Sequence, residues 1–417
     1  MSDPSNLHLD SQGDKFSEFT SSKNPLHDRN FYIIISLTLI EIMGGSTIGP
    51  ILPELSKNFD VSHSEIQLVM TAFFLPIGIF TPILGIIADR IGIKKVLVPS
   101  LLLFGIAGSS CAFAGDFQTL IGWRFLQGLG SASLNLTALT LISTLYHGKA
   151  LTLAMSIVVS AIGISTAIYP IMGGALGGSS WRYPFLLATI AFPLLLLVLM
   201  VLKLPRKPNA RQNSNLKIYL QQVWQSINNP TVLGLLLVVG SMFLIQSGPF
   251  ITYIPILAGA NFGASGLFIG LVLASMSVSL GLVASQLGRL TRHASEITLI
   301  KAALTIAAIA LAMIPLIDRA WLLFVPSILF GAALGLAIPH SQEMLAKLAI
   351  DETRAGFMAV NVSVQSLGIG LGPLIAGIFA GIWGMRGVFW VTAGLTVATL
   401  ALLHFLLIQA GRNSAPR

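Results

Sequence analysis

Charge is scarce in this chain: 10% of its 417 residues are Asp, Glu, Lys or Arg, against about 25% in a soluble globular protein. With 54% apolar residues and a mean hydropathy of +0.83, that deficit excludes a soluble multidomain enzyme, whose surface needs charge to stay dispersed. Cysteine is almost absent. The one present, Cys111, lies in an apolar stretch, so neither a disulfide framework nor a cysteine metal site can be built. There is no Gly-x-Ser-x-Gly elbow, P-loop or ATP-binding module, which removes serine hydrolysis and direct ATP drive. Seven histidines, mostly in loops or near the ends of apolar runs, do not form the cluster a membrane-embedded enzyme would need. These absences point to a non-enzyme with no cofactor and no metal. The net charge of +8 does not imply nucleic acid, because the basic residues sit in short clusters between apolar runs.

What the chain does have is length of apolar run. About 20 helical residues cross a bilayer core about 30 Å thick. Twelve runs reach that length, near 31–53, 66–88, 96–114, 119–146, 151–177, 183–203, 231–257, 266–288, 296–316, 320–346, 355–382 and 386–408. They are too long and continuous for barrel strands, and lack the period-2 alternation of an outer-membrane barrel. The fold class is therefore all-α integral membrane, with twelve transmembrane helices. Residues 1–30 are polar, without the build of a cleaved signal peptide, and read as a disordered tail. With that tail in the cytoplasm, only Lys57, Arg182, Arg319 and Arg386 fall on the opposite side and Arg124 within a span, leaving 19 of 24 Lys and Arg inside. Both termini are then cytoplasmic.

Residues 204–230 form the longest interior polar segment, with 216–227 able to lie as an amphipathic helix on the membrane surface. It reads as a linker between six spans over 31–203 and six over 231–408, with a short tail at 409–417. An internal repeat supports the division. Gly85-x6-Gly92 is matched by Gly281-x6-Gly288, 196 residues on, and Trp181-Arg182-x2-Phe185 by Met385-Arg386-x2-Phe389, 204 residues on. Pro170-x2-Gly173 has a counterpart in Pro373-x3-Gly377. An even number of spans per half makes a parallel repeat about an axis along the membrane normal, giving two pseudo-symmetric six-helix bundles.

Several motifs carry chemistry. Gly85-x3-Asp89-Arg90-x-Gly92-x-Lys94-Lys95 follows the second span; its glycine permits a tight turn, and its basic cluster holds the loop inside. Arg124-x-x-Gln127-Gly128 lies in the fourth span, and Arg124, Gln127, Ser131 and Asn135 fall on one helical stripe that should face water or cargo rather than lipid. Glu41 sits ten residues after Phe31, about 15 Å into the membrane. A carboxyl at that depth trades desolvation against any cation nearby, and so can take up or release a proton as its exposure changes.

On these residues the chain resembles the major facilitator superfamily, in its twelve-span drug:proton antiporter branch, over about residues 30–408. The resemblance implies a cytoplasmic gate of Gly85, Asp89, Arg90, Gly92 and Lys94, with Asp89 facing the start of the eleventh span near Thr353-Arg354-Ala355. It implies proton coupling by Glu41 with Arg124, although relatives place the first-span acid where this chain has Ser46, four residues before Pro50-x2-Pro53. The family's antiporter motif in span five survives only as Pro170, Gly173 and Gly174, while Gly368, Gly372 and Pro373 in span eleven keep the small-residue spacing that lets helices pack and kink. Further cavity candidates are Gln246, Tyr253, Asn361 and Gln365. His340 and Glu343 are spaced for a metal but have no third ligand, and read as a helix-end pair. Gly368-x-Gly370-x-Gly372 lies in an apolar helix and is no dinucleotide loop.

The expectation is a proton-coupled exporter of small, largely apolar compounds, acting as a monomer in a bacterial cytoplasmic (inner) membrane. Its partners are cargo, protons and lipid. An uptake symporter, or an exporter of one metabolite on the same fold, is the alternative.

Overall fold

A computed structural model describes residues 25–202, 229–348 and 354–413. The expected linker with its amphipathic segment, and most of the two tails, lie outside the described residues. So do the side chains of Asp89, Asn135 and residues 354–359. The described residues are helical throughout, with no strand.

The helices are α1 Arg29–Ser46, α2 Leu52–Phe59, α3 Leu68–Ile91, α4 Ile93–Ser110, α5 Phe117–Ser131, α6 Leu134–Leu145, α7 Gly148–Gly177 and α8 Ala191–Met200. After the linker come α9 Pro230–Ile245, α10 Ile254–Phe262, α11 Gly266–Ser285, α12 Glu296–Met313, α13 Phe324–Leu348 and α14 Arg354–Asn413. Short 3-10 and helical turns fill the gaps. Polar side chains cap the entries, each accepting from an N–H of the first turn: Asp28 from Asn30 (2.9 Å), Asp116 from Thr119 (2.8 Å) and Asn229 from Thr231 (2.9 Å). Ser265 and Ser295 cap α11 and α12 in the same way.

Ten helical segments among the described residues are long and apolar enough to cross a membrane. The difference from the twelve runs has two local causes. The run at 119–146 folds as two pieces, α5 and α6, broken just beyond Gly128 and Gly130, neither long enough alone. The runs at 355–382 and 386–408 are continuous in α14 except at Gly384, whose φ of 72° and ψ of 174° interrupt the helix. The run at 231–257 departs in another way. Gln246–Tyr253 is a π-helix containing Pro249, and the Thr252 hydroxyl donates to the Ser247 carbonyl at 2.7 Å.

The repeat is visible in contacts, at a register different from the glycine match. A Cβ on Gly128 would strike the Phe73 carbonyl oxygen, and one on Gly331, 203 residues on, would strike that of Met276, also 203 residues on. The 3-10 turns Cys111–Phe113 and Ile314–Leu316 keep the same offset. Gly78 therefore pairs with Gly281 and Gly85 with Gly288, correcting the sequence pairing of Gly85 with Gly281 by seven residues. Glycines recurring every seven residues let the motif slide by two helical turns without visible penalty.

The two parts of the chain meet along two seams, α3 against α14 and α7 against α11. Contact is closest at the end bearing the 3-10 turns, the far end. There a Cβ on Gly49 would stand 2.9 Å from the Ile251 carbonyl oxygen, Gly259 abuts Pro53, and Gly174 abuts the Gly266 carbonyl. At the end where the chain leaves at Leu202 and returns at Asn229, the linker end, α7 and α11 diverge: Gly163 and Gly281 have no neighbour within 4 Å of a Cβ position.

Candidate functional site

Arg124 is the largest fully buried side chain, 0% exposed. Its Nε donates to the Val69 carbonyl (3.2 Å), and its Nη1 to the Gly44 carbonyl (2.9 Å) and the Gln127 side-chain oxygen (2.8 Å). The guanidinium lies 4.2 Å from the Phe73 ring centroid and 6.0 Å from that of Phe185, positions in which ring faces attract a cation. A void of about 10 Å³ beside it is lined by Met43, Gly44, Thr47, Gln127 and Phe185 among others. The α5 stripe, as far as it is described, thus faces protein: Gln127 and Ser131 are buried as well, and the Asn135 side chain lies outside the described residues.

Glu41 is half-buried. It stands nine residues from Tyr32, half a turn round α1 from that 55% exposed side chain, on the face of the buried Ile34 and Leu37. Its carboxylate has no hydrogen-bond or ion-pair partner among the described residues, Arg124 included. Arg124 instead grips Gly44, one turn beyond Glu41 on the same helix. Two backbone carbonyls and the Phe73 ring, which hold the arginine, were invisible to sequence reasoning; only the cost of burying Arg124 signalled that something must hold it.

The remaining candidates are dispersed. Tyr253 and Asn361 are buried, with the phenol oxygen and the Asn361 side-chain oxygen unpartnered; Gln246 and Gln365 are half-buried. Gly368 abuts the Gly240 carbonyl, Gly372 abuts Ser247, and Gly173 abuts the Thr47 carbonyl, while Pro170 lies inside α7 and Pro373 inside α14. In the motif after α3, Gly85 is half-buried and Arg90 exposed, and Gly92 ends the helix with a φ of 100°. Thr353 and the Asp89 side chain lie outside the described residues. Lys94 turns back onto its own half, donating to the Leu199 carbonyl and the Leu202 carbonyl, both at 3.1 Å, at the end of α8. His340 is buried, and Glu343 pairs with Lys347 (2.8 Å), which also reaches Glu296 (2.7 Å). Among the described residues no group of three His, Cys, Asp or Glu is placed to hold a metal.

A helical membrane protein with a buried, multiply bonded arginine and an unpartnered mid-span carboxylate has the parts of a secondary transporter. The family model of the Major Facilitator Superfamily matches residues 34–349 and 261–417, and the chain belongs to that superfamily. The multidrug efflux protein YfmO of Bacillus subtilis is 29% identical over 392 residues, covering 89% of this chain and 93% of its own. The multidrug resistance protein MdtG of Enterobacter lignolyticus is 27% identical over 384 residues, 89% of this chain and 90% of its own. A crystal structure of a bacterial homologue of the human lysosomal transporter Spinster, inward-facing and unoccupied, superposes with a TM-score of 0.72 at 16% identity, covering 91% of this chain and 95% of its own.

Proposed function

We propose that this transporter exports small, largely apolar compounds in exchange for protons, with Glu41 as the proton carrier. The observation that carries the reading is the Glu41 carboxylate, unpartnered at mid-span on the inward face of α1. An uncompensated carboxylate at that depth is stable only protonated or in contact with water, so its protonation changes the relative stability of the conformations that expose it to each side. The apolar cargo class follows from the shortage of deep charge, Glu41 and Arg124 alone, and from relatives named for multidrug efflux.

The architecture of this proposal is twelve crossings in two six-helix bundles. It counts α5 and α6 as one broken span, and α14 as two at Gly384, beside the nine other segments. The Lys and Arg distribution supports a reading with the linker end and both termini in the cytoplasm, in which the far-end seal closes the outside, and bacterial relatives support an inner membrane. The site divides accordingly. Arg124 is a positioning residue that fixes α1 through Gly44, one turn from Glu41. Gln246, Gln365, Asn361 and Tyr253 offer polar groups to cargo when the halves rearrange, and the Asp89 loop latches the cytoplasmic ends when they close.

Inside-out vesicles test the reading. Acidifying the lumen should drive accumulation of a lipophilic dye; Glu41→Gln should abolish that pH dependence yet keep cargo-for-cargo exchange. Full pH-driven flux in Glu41→Gln would remove the role from Glu41, and flux in the opposite direction would make the protein an uptake symporter.

A further inference from the structure

The repeat builds one corner of the far end twice and fills it once. Asn58-Phe59-Asp60 recurs as Asn261-Phe262-Gly263, and Ala114-Gly115 after the first 3-10 turn recurs as Ile317-Asp318, both at the offset of 203. The two tripeptides end in the same left-handed conformation, Asp60 at a φ of 51° and Gly263 at 59°. Trp181-Arg182 recurs as Met385-Arg386, one residue further on. In the first half the corner is filled. Trp181 is 7% exposed, and its ring centroid lies 5.2 Å from that of Phe59. The Arg182 guanidinium stands 4.6 Å from the Trp181 ring, and its Nε donates to the Ala112 carbonyl at 3.0 Å.

In the second half the corner stands open. Met385 takes the place of the indole, Asp318 takes that of Gly115, and the break at Gly384 falls immediately before Met385. What results is a crevice of about 720 Å³, lined by Asn261, Phe262, Asp318, Trp383, Met385 and Arg386 among others. That volume is within the range of about 300–1,000 Å³ for small-molecule sites. Its walls come from three separate turns: the end of α10, the turn after α12 and the break in α14. Neither Asp318 nor Arg386 has an ion-pair or side-chain hydrogen-bond partner among the described residues. Arg386 therefore lacks the carbonyl bond that its counterpart Arg182 makes. Leu316 and Ile382, 72% and 63% exposed, flank the crevice, and Trp383 itself is 56% exposed. Large apolar side chains bared at span ends mark the boundary between acyl chains and head groups, where tryptophan collects.

We infer that this corner binds the head group of a zwitterionic phospholipid, one that carries a primary ammonium beside its phosphate. A guanidinium and a carboxylate that share one crevice without pairing call for a guest with both signs of charge. The phosphate accepts from Arg386, and the ammonium donates to the Asp318 carboxylate. A glycerol head satisfies the arginine and leaves Asp318 facing a second anion. A choline head keeps the positive charge but has no N–H to donate. Leu316, Ile382 and Trp383 give the glycerol backbone and upper chain an apolar surface, which a soluble zwitterion could not use. The inference requires only that the chain spans a bilayer, and stands apart from cargo, proton coupling and orientation.

Photolabelling of the full chain in phosphatidylcholine nanodiscs tests the site. The probe is a phosphatidylethanolamine with a diazirine near the carbonyl end of one acyl chain, and mass spectrometry locates the adducts. Adducts at 261–262, 316–318 and 382–386 should exceed those at the filled corner, 58–59, 113–115 and 180–183, by at least about fivefold, the ratio roughly 1 kcal/mol of preference gives. Unlabelled phosphatidylethanolamine should displace them, and soluble phosphoethanolamine should not. The matching phosphatidylglycerol probe should label the open corner about threefold less, within what one exposed ion pair supplies. Asp318→Asn should erase that difference between the two probes, whereas Arg386→Gln should lower labelling by both. Met385→Trp, which restores the indole of the filled corner, should remove most of the labelling. Equal labelling of the two corners, indifference to the head group, or labelling unchanged in both charge variants overturns the site. Displacement by phosphoethanolamine as effective as by the lipid overturns the lipid assignment and makes the guest a soluble zwitterion.

Discussion

Arg124 shows how a buried charge is held without an opposite charge. Its bonds reach α1 at Gly44, α3 at Val69 and its own helix at Gln127, so one planar, five-donor group ties three elements together. A lysine ammonium keeps the charge but cannot address carbonyls in those separate directions. Arg124→Lys should therefore destabilise the protein by about 3 kcal/mol, one to two charge-assisted bonds, lowering the thermal midpoint in detergent; an unchanged midpoint would contradict the assignment. Lys94 makes a parallel case, since it donates to two carbonyls at the α8 terminus. Lys94→Met should speed hydrogen exchange at residues 196–202 and leave the balance of open states unchanged, which a gating role would not. Sequence identified Arg124 and Glu41 through the cost of burying them, but not their partners. Carbonyls belong to every residue and carry no signature, and whether Glu41 meets Arg124 depends on which way α1 is turned.

The elements were legible from sequence where run length decides and illegible where local backbone does. Apolar runs located the spans because each must cross the bilayer core. The break between α5 and α6, and the π-helix around Pro249, change hydrogen-bond register without changing apolar content, so no run length reports them. The repeat was legible but displaced by seven residues, since side-chain pattern repeats every two turns whereas backbone contact does not. That contact predicts a contrast. Gly331→Val pushes side-chain atoms into the Met276 carbonyl and should destabilise by about 1–3 kcal/mol or more, whereas Gly281→Val meets no neighbour and should leave the denaturation midpoint nearly unchanged. Asp116 adds a pH term at the head of α5. Hydrogen bonds from the Thr119 N–H and hydroxyl hold its carboxyl below the usual carboxylate range. Because its folded value is depressed, its contribution is complete at neutral pH and is lost as pH falls through that lowered value. Asp116→Asn should flatten the acid limb of a thermal-stability profile measured against pH.

At the scale of the whole molecule, the far end is sealed by backbone-close approaches at Gly49, Gly259 and Gly174, and the linker end is parted at Gly163 and Gly281. Packed interfaces of this kind have two arrangements rather than a continuum, and in the proposed mechanism a proton on Glu41 selects between them. Filling either end should bias the balance: Gly281→Leu should hold the present state by obstructing the seam at the linker end, and Gly174→Leu should disfavour it by wedging the seam at the far end. The measurement that tests this most directly is a pair of spin-label distances recorded against pH, one between positions 152 and 285 at the linker end, the other between 57 and 261 at the far end, with the buried Cys111 left in place. The two distances should change in opposite senses across the titration of Glu41, and Glu41→Gln should make both insensitive to pH. Distances that stay fixed with pH, or that lengthen and shorten together, would contradict a rocking molecule driven by that carboxylate.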